Sequence, residues 1–225
     1  SPRLRSLRDR VHKLSPSMPF LNLYVGLDAT DQQLDLPNSN IWAYPGPDHD
    51  SNLSMFLSDP QAPLPLVYIS FPSGKEPTFA ERFPNHATIQ ALCPASYDWF
   101  KPWEHLPWKQ RGEDYERLKR QFAHRLRKTL EEQVPQVQGH IQHAELSTPL
   151  TNRYFVGYAA GEPYGLAHTP QRFLERRLLR PASPIRGLFL TGQDVSTIGV
   201  VPAMVGGVSC ASAILRRNLF ARFTD

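Results

Sequence analysis

The segment Phe20-Leu21-Asn22-Leu23-Tyr24-Val25-Gly26-Leu27 has the apolar and aromatic composition of a β-strand. Residues 41–44, 66–71 and 87–92 repeat this character and are separated by proline-rich connections. Four such segments predict a mixed or antiparallel sheet. A further short apolar strand is predicted within residues 137–146.

The clearest helix covers residues 111–134. Its apolar side chains recur at steps of three and four residues, and Pro135 is expected to end it. These side chains are Tyr115, Leu118, Phe122, Leu126 and Leu130. The arginines and lysines between them lie on the opposite face, which we interpret as a solvated surface and not as a nucleic-acid interface.

A shorter amphipathic helix is predicted for residues 3–14. Its apolar positions are Leu4, Leu7, Val11 and Leu14, set among basic residues ahead of Pro16. Two interpretations remain open for the basic residues. They form an ordinary solvated face, or they hold the helix on a membrane surface as a peripheral anchor.

The composition is that of a folded protein with many turns. The chain has 225 residues, 40% of them hydrophobic and 20% charged, with 22 prolines and a net charge of +4. These values exclude wholesale disorder and give no strong indication of nucleic-acid binding. The chain is long enough for one large or two small domains. It begins without a methionine, so we expect it to be an internal segment of a longer protein.

Several common site types have no signature in this sequence. The two cysteines, Cys93 and Cys210, match no metal or redox spacing, and the 13 glycines include neither a G-x-G pair nor a phosphate-binding P-loop. His140 and His143 are expected on opposite faces of a strand. Residues 48–50, Asp-His-Asp, are expected in a polar loop without a third ligand. No metal site is therefore predicted.

The order of segments in the carboxy-terminal region indicates a candidate ligand site. An apolar strand is predicted for residues 187–191, followed by Thr191-Gly192-Gln193-Asp194 and a helix with Pro202 in its first turn. A carboxylate at a strand end can accept hydrogen bonds from ribityl or ribose hydroxyls, and free N–H groups at a helix start favour negative charge. The alternative is that Asp194 only caps the helix by bonding its backbone.

Residues 195–215 carry no charge. This length is enough to cross a bilayer, but the glycines, serines and Pro202 within it favour a buried helix. Small residues along this helix allow a close approach to another helix or to a flat ring system.

These carboxy-terminal residues carry a family resemblance. The segment 187–194 followed by Val205-Gly206-Gly207-Val208-Ser209-Cys210-Ala211 resembles the flavin motif of retinol saturase and its relatives among carotenoid desaturases and isomerases. Further segments are similar to the same family in matching order, from about residue 20 to residue 219. They are residues 23–27, 34–37, 75–78, 82–84, 111–115, 148–152 and 164–165.

The resemblance implies that the chain is the carboxy-terminal half of an FAD-dependent oxidoreductase. Its fold would be α/β, with a mixed-sheet substrate domain in residues 1–148 and, in residues 149–225, the terminal strand and helix of a Rossmann-like FAD domain. The amino-terminal βαβ unit that holds the ADP part of FAD is absent from this sequence. The implied partners are that missing amino-terminal half and an apolar isoprenoid polyene such as a retinoid or carotenoid.

The resemblance also implies site residues. Gly192 and Asp194 would bind the ribityl and pyrophosphate part of FAD, and Val201, Pro202 and Ala203 would present the helix start to the ring. An apolar slot for the polyene would be lined by Tyr154, Phe155, Tyr158 and Tyr164. Candidate proton donors near that segment are Tyr164, Glu162 and His168. Hydride transfer with flavin is the expected chemistry; the alternatives are cis-trans isomerisation or a non-catalytic binding module.

Overall fold

The computed structural model describes residues 2–222, and these form two compact units. One unit is Pro19–Gly161, here called the sheet unit. The other combines residues 2–18 with residues 162–222 and is called the discontinuous unit. The predicted boundary between residues 148 and 149 refers to the domains of a longer protein and stays a prediction.

The sheet unit contains one antiparallel sheet. Its strands are β1 (Phe20–Leu27), β2 (Ile41–Ala43), β3 (Val67–Ser70), β4 (Ala87–Pro94) and β5 (Ile141–Ser147). Their order across the sheet is β2-β3-β4-β1-β5. All pairings are antiparallel, from Phe20 opposite Pro94 to Leu27 opposite Ala87 in the β1–β4 pair. The α/β fold class is confirmed, and the sheet is the antiparallel of the two predicted kinds.

Strand β1 shows why this segment decides the fold. Successive side chains of a strand point to opposite faces, and Leu21, Leu23, Val25 and Leu27 are all buried. The position between two of them, Tyr24, lies on the other face and is exposed. Because β1 pairs with both β4 and β5, one buried face of this strand contributes to the centre of the core.

The helices of both units are now given in chain order. They are α1 (Pro2–Val11), α2 (His49–Ser58), α3 (Phe79–Arg82), α4 (Glu113–Gln133), α5 (Pro149–Val156), α6 (Pro170–Leu174) and α7 (Val200–Leu215). Helix α4 buries Tyr115, Phe122, Leu126 and Leu130, as its spacing predicts, and Pro135 follows its end. Helix α1 confirms the amphipathic segment but ends three residues early; the side chain of Leu4 lies outside the described residues.

Helix α2 corrects the polar loop expected around residues 48–50. Asp48 is the residue before the helix, and its side chain accepts a hydrogen bond of 3.1 Å from the backbone N–H of Ser51. This bond stabilises the ionised carboxylate and lowers the pKa of Asp48. Asp48-His49-Asp50 is therefore a helix start with its cap.

The prediction of a strand at residues 187–191 is wrong. Within the described chain this segment makes one isolated bridge, Phe189 opposite Ala182, flanked by a bond from Leu190 N–H to the Pro181 carbonyl. The partner stretch contains Pro181 and Pro184, which have no backbone N–H to donate, so a continuous ladder cannot form there.

Helix α7 has the predicted position but not the predicted burial. Pro202 lies in its first turn, as expected, yet Gly206 is the one residue of the helix that is buried within residues 2–222. Val200, Val201 and Met204 are 79%, 68% and 66% exposed. Over residues 2–222, none of the helices combines the length and apolarity that crossing a membrane requires.

Candidate functional site

The segment between Gly192 and helix α7 forms the predicted turn in the discontinuous unit. Gly192 has φ of +87°, a conformation that favours glycine, and one turn of 3₁₀-helix covers Gln193–Val195. The side-chain carbonyl of Gln193 accepts a 3.4 Å hydrogen bond from the N–H of Gly199, directly before α7. The turn is thus connected to the start of the helix.

Helix α7 approaches this turn closely through a glycine. A Cβ atom built on Gly206 would lie 2.4 Å from the carbonyl oxygen of Gly192, so any larger residue would force the two apart. A Cβ built on the next residue, Gly207, would meet no heavy atom within 4 Å. Gly206 therefore allows a close approach of α7 to the Gly192 turn, which is neither the second helix nor the flat ring system that the sequence predicts.

Asp194 is anchored on one side and open on the other. Its Oδ1 accepts a 2.9 Å hydrogen bond from the backbone N–H of Leu166, while 41% of its side chain remains exposed. Gly165 packs against this carboxylate so closely that a Cβ there would lie 2.4 Å from Oδ1. Asp194 does bond backbone, but the bond goes to the 165–166 loop and not to helix α7.

Arg172 is hydrogen-bonded to the turn through its buried side chain. Its side chain is 1% exposed and donates hydrogen bonds to the carbonyls of Leu166 (2.8 Å), Gln193 (3.1 Å) and Ser196 (3.4 Å). A guanidinium nitrogen also lies 3.9 Å from Asp194 Oδ1. Burial lowers the pKa of Arg172, and the negative charge of Asp194 opposes this effect. The sequence analysis did not identify Arg172. The only local signal near it, Thr169-Pro170, indicates a helix start and says nothing about a buried arginine.

The predicted cofactor residues therefore fall at one place. Gly192 and Asp194 lie on the turn, while Val201, Pro202 and Ala203 lie in the first turn of α7, which packs on it. The N–H groups of the first two helical residues, Val200 and Val201, have no acceptor within a helix by geometry, and Pro202 has no N–H. Together with the exposed half of the Asp194 carboxylate, this donor and acceptor set suits a ligand that has hydroxyl groups and a flat, electron-rich edge.

The three candidate proton donors lie just before and after Gly165. Glu162 is buried, Tyr164 is partly exposed and bonds Ser17 through its backbone N–H (3.3 Å), and the ring of His168 stacks on Phe173 with 5.5 Å between centroids. This segment is tied to Asp194 by the Leu166 bond. The structure thus brings the donor candidates and the Gly192 turn into the same unit.

His168 has an altered acidity. Partial burial is the largest cause that lowers its pKa, the positive charge of Arg172 lowers it further, and Asp194 partly offsets both. A histidine whose pKa falls below its usual value of about 6.5 is mainly neutral at pH 7. His168 is therefore a poor source of protons at neutral pH compared with a charged imidazolium.

A cleft of about 570 Å³ lies in the sheet unit, beside α4 and α5. Its apolar wall consists of Tyr24, Trp108, Leu146, Phe155 and Val156. Trp108 stacks on Tyr154 (5.3 Å between centroids) and meets Phe155 edge-on (5.2 Å).

Of the four residues predicted to line an apolar slot, the structure places Phe155 in this cleft. Tyr154 lies on an adjoining one with Trp108. Tyr158 is not among the lining residues, and Tyr164 belongs to the discontinuous unit. The predicted slot is therefore only partly assembled within one unit.

Two of the family-like segments meet at this cleft. Arg111 is 7% exposed and donates to the Tyr115 hydroxyl and to the Leu150 carbonyl, each at 3.2 Å. Tyr115 in turn bonds the Thr148 hydroxyl at 2.7 Å. Thr148 also caps α5 together with Thr151. Residues 111–115 and 148–152 thus form one buried polar network.

Two of the histidine and aspartate side chains considered as metal ligands in the sequence have other partners. His140 lies 2.9 Å from Asp28, and Asp48 caps α2. Within residues 2–222, no three histidine, cysteine, aspartate or glutamate side chains are grouped as metal ligands.

Comparison with known proteins identifies close relatives over nearly the whole chain. It is 34% identical over 224 residues to the all-trans-retinol 13,14-reductase of Rattus norvegicus, and 33% identical over 228 residues to that of Macaca fascicularis. This chain is retinol saturase-like. The matches cover 97% and 99% of it, respectively.

The retinol saturase-like chain spans only 37% of the length of these relatives. It is also 31% identical, over 95% of its residues, to a Danio rerio protein named inactive all-trans-retinol 13,14-reductase. A search of protein-family models gave no match. Similarity over this stretch is therefore shared by relatives named as active and as inactive.

Proposed function

We propose that this chain is part of an FAD-dependent oxidoreductase that acts on a carbon–carbon double bond of an isoprenoid polyene such as a retinoid. The observation that carries the proposal is the similarity, over 97% of the chain, to a protein named for reducing the 13,14 bond of retinol. Because the chain spans 37% of that relative, the activity is proposed for a longer protein that includes an amino-terminal FAD-binding part.

The cofactor part of the proposal assigns roles to the Gly192 turn. Asp194 would accept hydrogen bonds from ribityl or ribose hydroxyls with the exposed part of its carboxylate, while Leu166 and Arg172 hold the carboxylate in place. The free N–H groups at Val200 and Val201 would favour negative charge at the edge of the flavin ring. When bound, the flavin would supply a hydride to a substrate carbon in its reduced form, or accept one in its oxidised form.

Saturation of one double bond also requires a proton. A hydride goes to one carbon and a proton to its neighbour, so the product gains two hydrogens and the cofactor is oxidised; a separate electron donor then reduces it again. Tyr164 and Glu162 are the proposed proton donors of this chain, with water as the alternative. His168 is the weakest candidate at neutral pH, since its lowered pKa leaves it mostly uncharged.

Two other functions are the alternatives to this proposal. Flavin-dependent cis-trans isomerisation of a carotenoid needs the same site but leaves the mass of the substrate unchanged. A non-catalytic binding module is favoured by the similarity to the inactive relative. Incubation with all-trans-retinol and a chemical reductant, followed by liquid chromatography with mass detection, separates them: two added hydrogens support the reductase, a new chromatographic peak of equal mass supports the isomerase, and unchanged retinol supports the binding module.

The first experiment is the visible absorption spectrum of the protein expressed from its complete native reading frame and purified without added cofactor. We expect a flavin spectrum. Asp194→Ala should weaken FAD binding about tenfold, the effect of losing about 1.4 kcal/mol of hydrogen bonding. Asp98→Ala, an exposed aspartate of the sheet unit, is the matched control.

Two results would contradict the proposal at different levels. A colourless, folded protein that takes up no added FAD rejects the oxidoreductase. A yellow protein in which Asp194→Ala keeps the full flavin content rejects only the role of Asp194.

A further inference from the structure

The cleft beside α4 and α5 has an apolar wall and a charged end. Tyr24, Phe155 and Val156 line one part, and Arg111, Ser147 and Asn152 line another. Its volume of about 570 Å³ lies within the roughly 300–1,000 Å³ that small-molecule sites occupy. A molecule that fills it meets both apolar and polar side chains, so this lining suits an amphipathic ligand.

Arg111 is the unusual group at the charged end. Its guanidinium is buried, yet among residues 2–222 no carboxylate lies within 4.0 Å of its nitrogens. Its two terminal nitrogens bond neutral oxygens of Tyr115 and Leu150, and its Nε has no hydrogen-bond partner in the described chain. A buried cation without a counter-charge is costly, and an unsatisfied donor adds to that cost.

The charged side chains that line the cleft include more positive than negative groups. Lys109 lies over the Trp108 ring at 4.5 Å, and Lys119 is 3.8 Å from Glu145. With Arg111 and Glu116, the lining carries three positive and two negative side chains. The cleft is therefore net positive, and Arg111 is the buried one of its three cations.

We propose that this cleft binds an elongated apolar molecule that ends in a carboxylate. The carboxylate lies beside the Arg111 guanidinium and supplies the missing counter-charge, while the apolar chain lies against Phe155 and Val156. This goes beyond a reductase of a neutral alcohol, because it assigns an acidic ligand to the sheet unit. It needs neither FAD nor the Gly192 turn.

The test is a fluorescence titration of the flavin-free chain with parinaric acid, a conjugated polyene fatty acid, and with its alcohol analogue. We expect the acid to bind at least about tenfold more tightly than the alcohol, since hydrogen bonds to charged groups contribute about 1.5–3 kcal/mol. Arg111→Gln should remove this preference. Arg117→Gln, an exposed arginine of α4, should keep it.

A second variant keeps the test valid if Arg111→Gln fails to fold. Val156→Glu adds a negative charge to the cleft at a position that is 62% exposed, so folding should survive while acid binding weakens. Leu174→Glu, at a 78% exposed site of the discontinuous unit, is its control. Equal affinity for acid and alcohol, or unchanged acid binding in Val156→Glu, would overturn the proposal. Because no flavin is present, neither outcome bears on the proposed redox function.

Discussion

The two units of this chain are stabilised in different ways. The sheet unit surrounds a continuous apolar core in which β1, β4 and α4 bury almost every inward side chain. In the described part of the discontinuous unit, the buried apolar side chains are Leu178 and Val195. That unit is held by the buried Arg172 and by close backbone contacts at Gly165 and Gly206.

The sheet unit therefore has its own apolar core, whereas the discontinuous unit has an apolar surface that is available for contact. The sheet unit buries a continuous apolar core, although it also exposes apolar side chains such as Trp42 and Phe155. The discontinuous unit exposes the apolar residues Val200, Val201 and Met204 on α7, and contiguous exposed apolar surface commonly marks an interaction site. The proposed amino-terminal FAD-binding part, together with FAD, is the partner that this surface would meet.

The largest effect is expected from a core substitution in the sheet unit. Phe122 is 1% exposed and stacks on Trp99 with 5.5 Å between ring centroids. Phe122→Ala should lower the free energy of unfolding by about 3–5 kcal/mol, because it removes buried contacts and leaves a cavity. Denaturant unfolding followed by tryptophan fluorescence reports on this unit, since all four tryptophans lie in it.

The control for this substitution is Phe155→Ala, which changes an exposed phenylalanine of the same unit. It should cost less than about 1 kcal/mol. Similar losses for the two variants would show that the core is not where the stability of the sheet unit resides.

A local effect is expected from Arg172→Gln. Losing charge-assisted hydrogen bonds to three carbonyls should cost about 1.5–3 kcal/mol and speed amide exchange roughly 10- to 100-fold in residues 163–166 and 193–196. Hydrogen exchange read by mass spectrometry measures this, with the exposed Arg176→Gln as control. Unchanged exchange in both segments would mean that Arg172 does not hold the turn.

The smallest effect, and the sharpest contrast, comes from two adjacent glycines of α7. Gly206→Ala places a methyl group against the Gly192 carbonyl and should destabilise the turn by about 1–3 kcal/mol. Gly207→Ala meets open space and should stabilise the helix by up to about 1 kcal/mol. Thermal unfolding and amide exchange at residues 192–196 compare the variants; shifts of the same sign would contradict the close approach at Gly206.

Local patterns predicted the sheet unit well. The strand period at Phe20–Leu27 and the helical period from Tyr115 to Leu130 each record which face is buried, so both elements lie where the sequence places them. Helix α2 was missed because its polar first residues are the signature of a helix start as much as of a loop. The local pattern alone does not distinguish the two.

The candidate sites were predicted unevenly, for a related reason. The order of Thr191–Asp194 and a helix with Pro202 in its first turn located the turn. The strand predicted before it is wrong, because pairing depends on the partner stretch and its prolines. Arg111 and Arg172 look like the many solvated arginines of this chain. Their burial follows from contacts with residues distant in sequence, Leu150 and Gln193, which no local pattern records.

The position of β1 in the sheet also determines how long this strand stays unpaired during synthesis. Its partners on β4 lie 60 to 74 residues further along the chain, and those on β5 lie further still. At about 5–20 residues per second, an emerging β1 waits several seconds with its apolar face and both edges unpaired. A ribosome-associated chaperone that covers Leu21, Leu23 and Val25 during that interval would protect the segment on which the whole sheet is later assembled.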